Sequence, residues 1–177
     1  MGFTAIAPRR SHMQWTLAPQ DMVIAFGLAV VREQPVTADM LLMTASTFRT
    51  AMLRLKAAKL VVDMDGQPQL VMPAFRPFST LAAPHCFPAV IGDIVRGRRS
   101  AFSNTLSVGG HVDQFVWPDE QGNTVGRSIL PLHKSVPIIS NTSSCLWNVL
   151  ALFDLVRVSE GHERDRAMHE MTTILSA

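Results

Sequence analysis

Residues 37–62, TADMLLMTASTFRTAMLRLKAAKLVV, restrict the fold more than any other stretch of the chain. Thr37 is placed to cap a short helix over residues 38–43, and Thr44 to cap a second one over residues 44–59. In that second segment Phe48, Ala51, Met52 and Leu55 fall on one face. Ser46, Thr47, Arg49, Thr50 and Arg54 fall mostly on the other. Two β-prone runs follow, Leu60-Val61-Val62 and Leu70-Val71-Met72, around Asp65-Gly66, a strong hairpin-turn signal. The order is helix, tight turn, helix, hairpin.

Another helix precedes this unit. Pro19 suits a first helical turn and Asp21 sits well at the positive end of its dipole. Met22, Ala25, Phe26, Ala29 and Val30 recur at spacings of three and four up to about Arg32, and Pro35 ends the run. Beyond the hairpin, Pro73, Pro77, Pro84 and Pro88 are expected to block long regular structure. A helix is expected from Cys86 to Val95, ended by Gly97. Residues 98–140 read as irregular, punctuated by Gly109-Gly110, Trp117-Pro118, Gly122, Gly126, Pro131 and Pro137. Ser143-Ser144 then open an apolar helix containing Leu146, Val149, Leu150, Leu152, Phe153 and Val156. Gly161 breaks it, and Glu163 to Leu175 form a last amphipathic helix.

A chain of 177 residues with 47% hydrophobic and 17% charged residues builds an ordinary globular core. So few charges alongside ten Met and nine Phe hint at self-association. The net charge of +2 is modest, but its distribution is uneven. Residues 44–59 hold Arg49, Arg54, Lys56 and Lys59 and no acid, a local charge of +4. Residues 140–177 hold three Arg against Asp154, Glu160, Glu163, Asp165 and Glu170, a local charge of −2. Such a field orients one face toward phosphates. Cys86 and Cys145 form neither a disulfide framework nor a metal-spacing motif, so a cytoplasmic setting is expected. No apolar run reaches the roughly 18 residues of a membrane span. In the N-terminal tail, residues 1–16, Arg9 and Arg10 follow the short apolar piece, the reverse of a secretory signal.

Residues 17–72 resemble the winged helix-turn-helix domains of bacterial transcriptional regulators, especially the MarR-like group. Thr44-Ala45-Ser46-Thr47-Phe48, Ala51-Met52-Leu53-Arg54-Leu55 and Ala58-Lys59-Leu60-Val61 carry the likeness. The family pattern in this region reads S-x-x-T-V-x-R-A-L-x-R-L-x-x-A-G-L-V. Here Thr44 stands for the capping Ser, Phe48 for Val, Thr50 for the first Arg and Lys59 for the Gly that eases a left-handed exit. The second half resembles an extension of uncharacterised bacterial helix-turn-helix proteins, which carries no known chemistry.

The resemblance implies a mainly α fold with a small β-hairpin wing. The expected division is a winged helix at 17–72, a linker and irregular region at 73–140, and C-terminal helices at 141–177 for dimerisation or partner binding. The implied function is a transcriptional regulator that reads double-stranded DNA with the helix at 44–59, as a homodimer whose two reading helices sit about 34 Å apart. Ser46, Thr47, Arg49 and Thr50 are expected at base edges, and Arg54, Lys56 and Lys59 nearer phosphates. Arg96, Arg98 and Arg99 offer further phosphate contacts, against the plainer reading of a solvated loop. The competing reading is a winged helix that binds protein instead, favoured by the modest net charge and by Thr50 in place of Arg.

No cofactor, metal or catalytic chemistry is expected. His85, Cys86, His111 and Asp113 carry metal-capable atoms without a ligand spacing. Cys145 reads as a core residue rather than a nucleophile, and Trp117 and Trp147 as core anchors. Asp113, Asp119 and Glu120 sit in a polar stretch without a pairing signal. Walker, Rossmann and nucleophile-elbow patterns are absent from the sequence.

Overall fold

A computed structural model describes residues 16–32, 34–102, 114–139 and 143–177. Its first helix, α1 (Pro19–Val30), starts with Pro19 in the first turn, and the Asp21 carboxylate accepts the Ala18 N–H at 2.9 Å. The sequence suggested one apolar stripe. Instead Asp21 through Gly27 are all buried, so α1 runs through the middle of the molecule.

Residues 38–43 form tight turns rather than a helix. The Met43 N–H reaches back to the Ala38 carbonyl at 2.9 Å, and Leu42 has a positive φ of 50°. Six residues between two caps are too few to offset the cost of helix nucleation. The Thr37 hydroxyl still accepts the Met40 N–H, at 3.2 Å.

Helix α2 (Ala45–Ala57) starts where the sequence placed it, with Thr44 Oγ1 accepting the Thr47 N–H at 3.1 Å. Ala51, Met52 and Leu55 are buried. Its end is a Schellman turn: the Leu60 N–H bonds the Leu55 carbonyl (3.0 Å) and the Lys59 N–H the Lys56 carbonyl (2.9 Å). Lys59 therefore adopts the left-handed conformation, at φ 57°. Because a side chain there costs about 1 kcal/mol relative to glycine, Lys59→Gly is expected to raise stability by about 0.5–1 kcal/mol in urea denaturation. Strands β1 (Val61–Met64) and β2 (Gln67–Leu70) form the hairpin, paired from Val61↔Leu70 to Met64↔Gln67. Asp65 (φ 52°) and Gly66 (φ 77°) make the two-residue turn, as the sequence indicated.

The region from 73 to 140 departs most from expectation. Instead of an irregular linker it begins with α3 (Met72–Pro77), a π-helical turn (Phe78–Ala82) and α4 (Ala83–Cys86). Pro73 and Pro84 occupy first-turn positions, where a missing N–H costs nothing. Around Pro77, the hydroxyls of Ser79 and Thr80 satisfy the Arg76 carbonyl at 3.0 and 2.9 Å. The helix expected from Cys86 to Val95 stops at Cys86, and Pro88 follows. The β-branched run beyond it belongs to β3 (Ile91–Phe102).

Strand β3 pairs antiparallel with both β4 (Gln114–Pro118) and β5 (Thr124–Ile129), and β4 pairs parallel with β5, so the three strands close on one another. Glycine makes this closure possible. A Cβ on Gly97 would strike the Trp117 carbonyl, one on Gly122 the Gly97 backbone, and one on Gly126 the Gln114 carbonyl. The fold is thus mixed α/β rather than mainly α.

After α5 (Val136–Ile139), helix α6 (Ser144–Val158) is capped by Ser143 Oγ, which accepts the Leu146 N–H at 3.3 Å. Helix α7 (Gly161–Ile174) opens at Gly161, whose φ is 55°. Phe26 of α1 packs on Phe75 of α3 (centroids 5.4 Å apart) and on Phe153 of α6 (5.3 Å). One core is therefore shared across the expected boundaries at 72 and 140. The wide apolar face of α6 is consumed inside the chain: Leu146, Val149, Leu150, Phe153 and Val156 are all buried. No described helix is long and apolar enough to cross a membrane.

Candidate nucleic-acid interface

Helix α2 is presented by α1 through a buried ion pair. Arg54 donates from Nε and Nη2 to the two Asp21 carboxylate oxygens, at 2.7 and 2.6 Å. Asp21 is fully buried and only 13% of the Arg54 side chain is exposed. The hydrogen bonds to Asp21 raise the Arg54 pKa above its ordinary value. Arg54 therefore points inward and locks the two helices together. The expectation that it lies near phosphates is corrected: a fork with both arms engaged on a buried carboxylate is not offered to a ligand.

The outward side of α2 keeps the rest of the candidate set. Ser46 and Arg49 are exposed, and the Arg49 guanidinium makes no hydrogen bond or ion pair among the described residues. Thr50 is half-buried. Thr47 is half-buried too, with its hydroxyl 2.8 Å from that of Thr44. Lys56 pairs with Asp63 of β1 at 2.7 Å, a solvent-exposed contact worth little. Lys59 is exposed at the helix exit. The hairpin turn beyond it carries Asp65, exposed and without a cation partner among the described residues, so its tip is acidic, while Asp63 of β1 is matched by Lys56. A phosphate backbone is repelled there.

The arginines of VRGRRS lie on β3 rather than in a loop. Arg96 donates to the Gly122 carbonyl at 3.2 Å. Arg98 forms a salt bridge with Asp119, and its hydrogen bond is the main reason the Asp119 carboxyl titrates below its usual range. Arg99 is exposed on the same strand. The three do not form one cationic cluster, since strand alternation sends Arg99 to the opposite face from Arg96 and Arg98. Sequence reasoning passed over Arg32 and Arg127, both exposed, because each stands alone in its stretch.

The remaining candidates separate in space or fall outside view. His85 is exposed, with Nε2 3.1 Å from Arg164 Nη2, while His111 and Asp113 lie outside the described residues. Among the described residues no group of His, Cys, Asp or Glu is arranged to hold a metal. Cys145 was expected in the core but is exposed at the start of α6. Trp147 is half-buried, donating to the Arg99 carbonyl at 2.9 Å, and Trp117 is buried as expected.

Asp154, counted in the sequence only as one of five C-terminal acids, has a structural role that sequence reasoning missed. Its Oδ2 accepts Ser100 Oγ (2.7 Å) and Trp117 Nε1 (2.6 Å), and its Oδ1 pairs with Arg157. All of this is buried. The available signal was a lone acid inside an apolar helix with an arginine three residues on.

Comparison with protein-family models, curated proteins and solved structures finds no match to this chain.

Proposed function

We propose that the protein binds duplex DNA through the outward face of α2, as a transcriptional regulator of the winged helix-turn-helix kind. The observation that carries this reading is an exposed helix face with no acid on it, held rigidly by the Asp21–Arg54 pair and flanked by a hairpin. Ser46, Arg49 and Thr50 enter the major groove, and Lys56 and Lys59 meet phosphates. The acidic hairpin tip stays off the duplex. A two-fold pair supplies the area one short helix lacks. Because α6 is used internally, the pairing surface lies on β3 and β5, where Ile94 is 72% and Val125 59% exposed.

The test is a salt titration of binding to random duplex DNA. Three phosphate contacts per protomer, from Arg49, Lys56 and Lys59, give a slope of log K against log salt of about −5 for a pair. Arg49→Ala is expected to weaken binding by about tenfold or more and to shift Tm by no more than about 1 °C. Absence of binding at low salt overturns the reading.

One observation favours a second reading, docking on another protein. Leu53, 43% exposed, sits in the middle of the outward face of α2. Leu53→Glu would then abolish partner capture, whereas on DNA it acts only by adding one repulsive charge.

A further inference from the structure

Between β5 and α6 the chain passes through His133-Lys134-Ser135 and into the short helix α5. The His133 carbonyl accepts the Val136 N–H at 3.0 Å, and the Ser135 carbonyl accepts those of Ile138 and Ile139 at 3.0 and 2.9 Å. Inside this turn the Ser135 N–H donates to Nδ1 of the His133 ring at 3.2 Å. The Ser135 hydroxyl lies 2.8 Å from the same nitrogen. An amide donates only to a ring nitrogen that holds no proton, so the neutral ring carries its hydrogen on Nε2. Nε2 makes no hydrogen bond among the described residues. The arrangement copies an Asx turn, in which a side-chain acceptor takes the N–H two residues on. It differs in one respect: imidazole titrates.

Acid turns this acceptor into a donor. The Ser135 hydroxyl can rotate to accept from a protonated Nδ1, but the Ser135 N–H then faces another N–H. Ser135 is only 3% exposed, so an amide released there is costly until the turn opens to water. Val136 and Ile139 are buried and seat α5 in the core against β4. We infer that His133 is an acid-sensitive latch, which when neutral fastens the turn that seats α5 and when protonated at Nδ1 releases Ser135 and loosens residues 133–139. The surroundings favour the neutral ring. Burial, and then repulsion from Lys134, hold its pKa below the ordinary value. Strand β4, on which α5 packs, has no charged or titratable residue, and neither has the Phe87–Val90 loop bonded to Leu130. Beyond Leu132 lie Cys86 and Arg157, the latter paired with Asp154. With its folded pKa depressed, His133 contributes stability that is complete above the unfolded value of about 6.5 and is lost as pH falls through the folded value. The latch stands whether or not α2 reads DNA.

The test follows the His133 ring nitrogens of the full chain by NMR from about pH 8 to about pH 5. The Nε2–H tautomer is expected at the upper end, with a titration midpoint below that of an unstructured histidine. Amide-exchange protection at Ser135, Ile138 and Ile139, corrected for the intrinsic pH dependence, is expected to fall about tenfold as the ring protonates. His133→Asn keeps an Asx-turn acceptor that does not titrate. It should hold Tm within about 1 °C at the upper end and remove about 2–6 °C of the acid-induced fall in Tm seen in the wild type. An Nδ1–H tautomer, a midpoint at or above the ordinary imidazole value, protection indifferent to ring protonation, or an equal fall in Tm for wild type and His133→Asn overturns the proposal. If the Asn variant does not fold, the ring and amide measurements on the wild type decide alone.

Discussion

Asp154→Ala is expected to destabilise the fold by about 4–6 kcal/mol, the largest effect of any single polar substitution considered. Three donors converge on this carboxylate: Ser100 Oγ at 2.7 Å, Trp117 Nε1 at 2.6 Å, and the Arg157 guanidinium. They come from β3, β4 and α6 itself, so one side chain fastens the three-stranded unit to the helix. Its removal leaves Arg157 as a buried unpaired cation, which alone costs about 3–5 kcal/mol. The Ser100 and Trp117 donors add about 1–3 kcal/mol each when orphaned, and the terms overlap because all three share one site. Against a total stability of about 5–15 kcal/mol, a loss of that size removes between about a third and all of it. Asp154→Asn keeps an acceptor for Trp117 but not the charge for Arg157, and is expected to recover only part of the loss. Urea denaturation followed by tryptophan emission reads both. A loss under about 1 kcal/mol for Asp154→Ala would show that the network is not holding the sheet to α6.

The same network marks the boundary of what the sequence disclosed. Signals that act over a few residues were legible. Thr44 and Ser143 cap the helices they were placed on, Asp65-Gly66 turns the hairpin, and Gly161 separates the last two helices. Signals that need distant backbone were misread. Gly122 and Gly126 looked like loop punctuation, and Gly97 like a helix end. Gly97 and Gly126 are where one strand presses against another's backbone, and Gly122, in the loop between β4 and β5, presses on Gly97 of β3; nothing local announces these contacts. Prolines misled in the opposite direction, since Pro73 and Pro84 start helical turns rather than prevent them. The candidate site divides the same way. The basic character of α2 and the exposure of Arg49 follow from helical periodicity, whereas the inward turn of Arg54 depends on Asp21, 33 residues earlier. A helical face assigned by residue type alone cannot tell a cation facing solvent from one facing a buried carboxylate.

That distinction is open to experiment, because Arg49 and Arg54 should fail in opposite ways. Arg54→Ala strands the fully buried Asp21 carboxylate and is expected to cost about 3–5 kcal/mol. For a chain of 177 residues this corresponds to a fall in Tm of roughly 6–15 °C. Arg54→Lys keeps the charge but not the two-armed bond, and should lie between wild type and Ala. Asp21→Ala strands Arg54 and also frees the Ala18 N–H, so it is expected to be at least as damaging. In a double-mutant cycle the paired substitution of Asp21 and Arg54 should cost less than the two single losses combined, since each single variant leaves a partner unsatisfied. DNA affinity, measured well below Tm and corrected for the folded fraction, should change little in Arg54→Ala, while Arg49→Ala loses affinity at constant Tm. An Arg54→Ala variant that keeps its Tm but binds DNA as poorly as Arg49→Ala would mean that Arg54 leaves Asp21 for the duplex. The clamp would then be a resting position of a DNA-contacting side chain rather than the brace that presents α2.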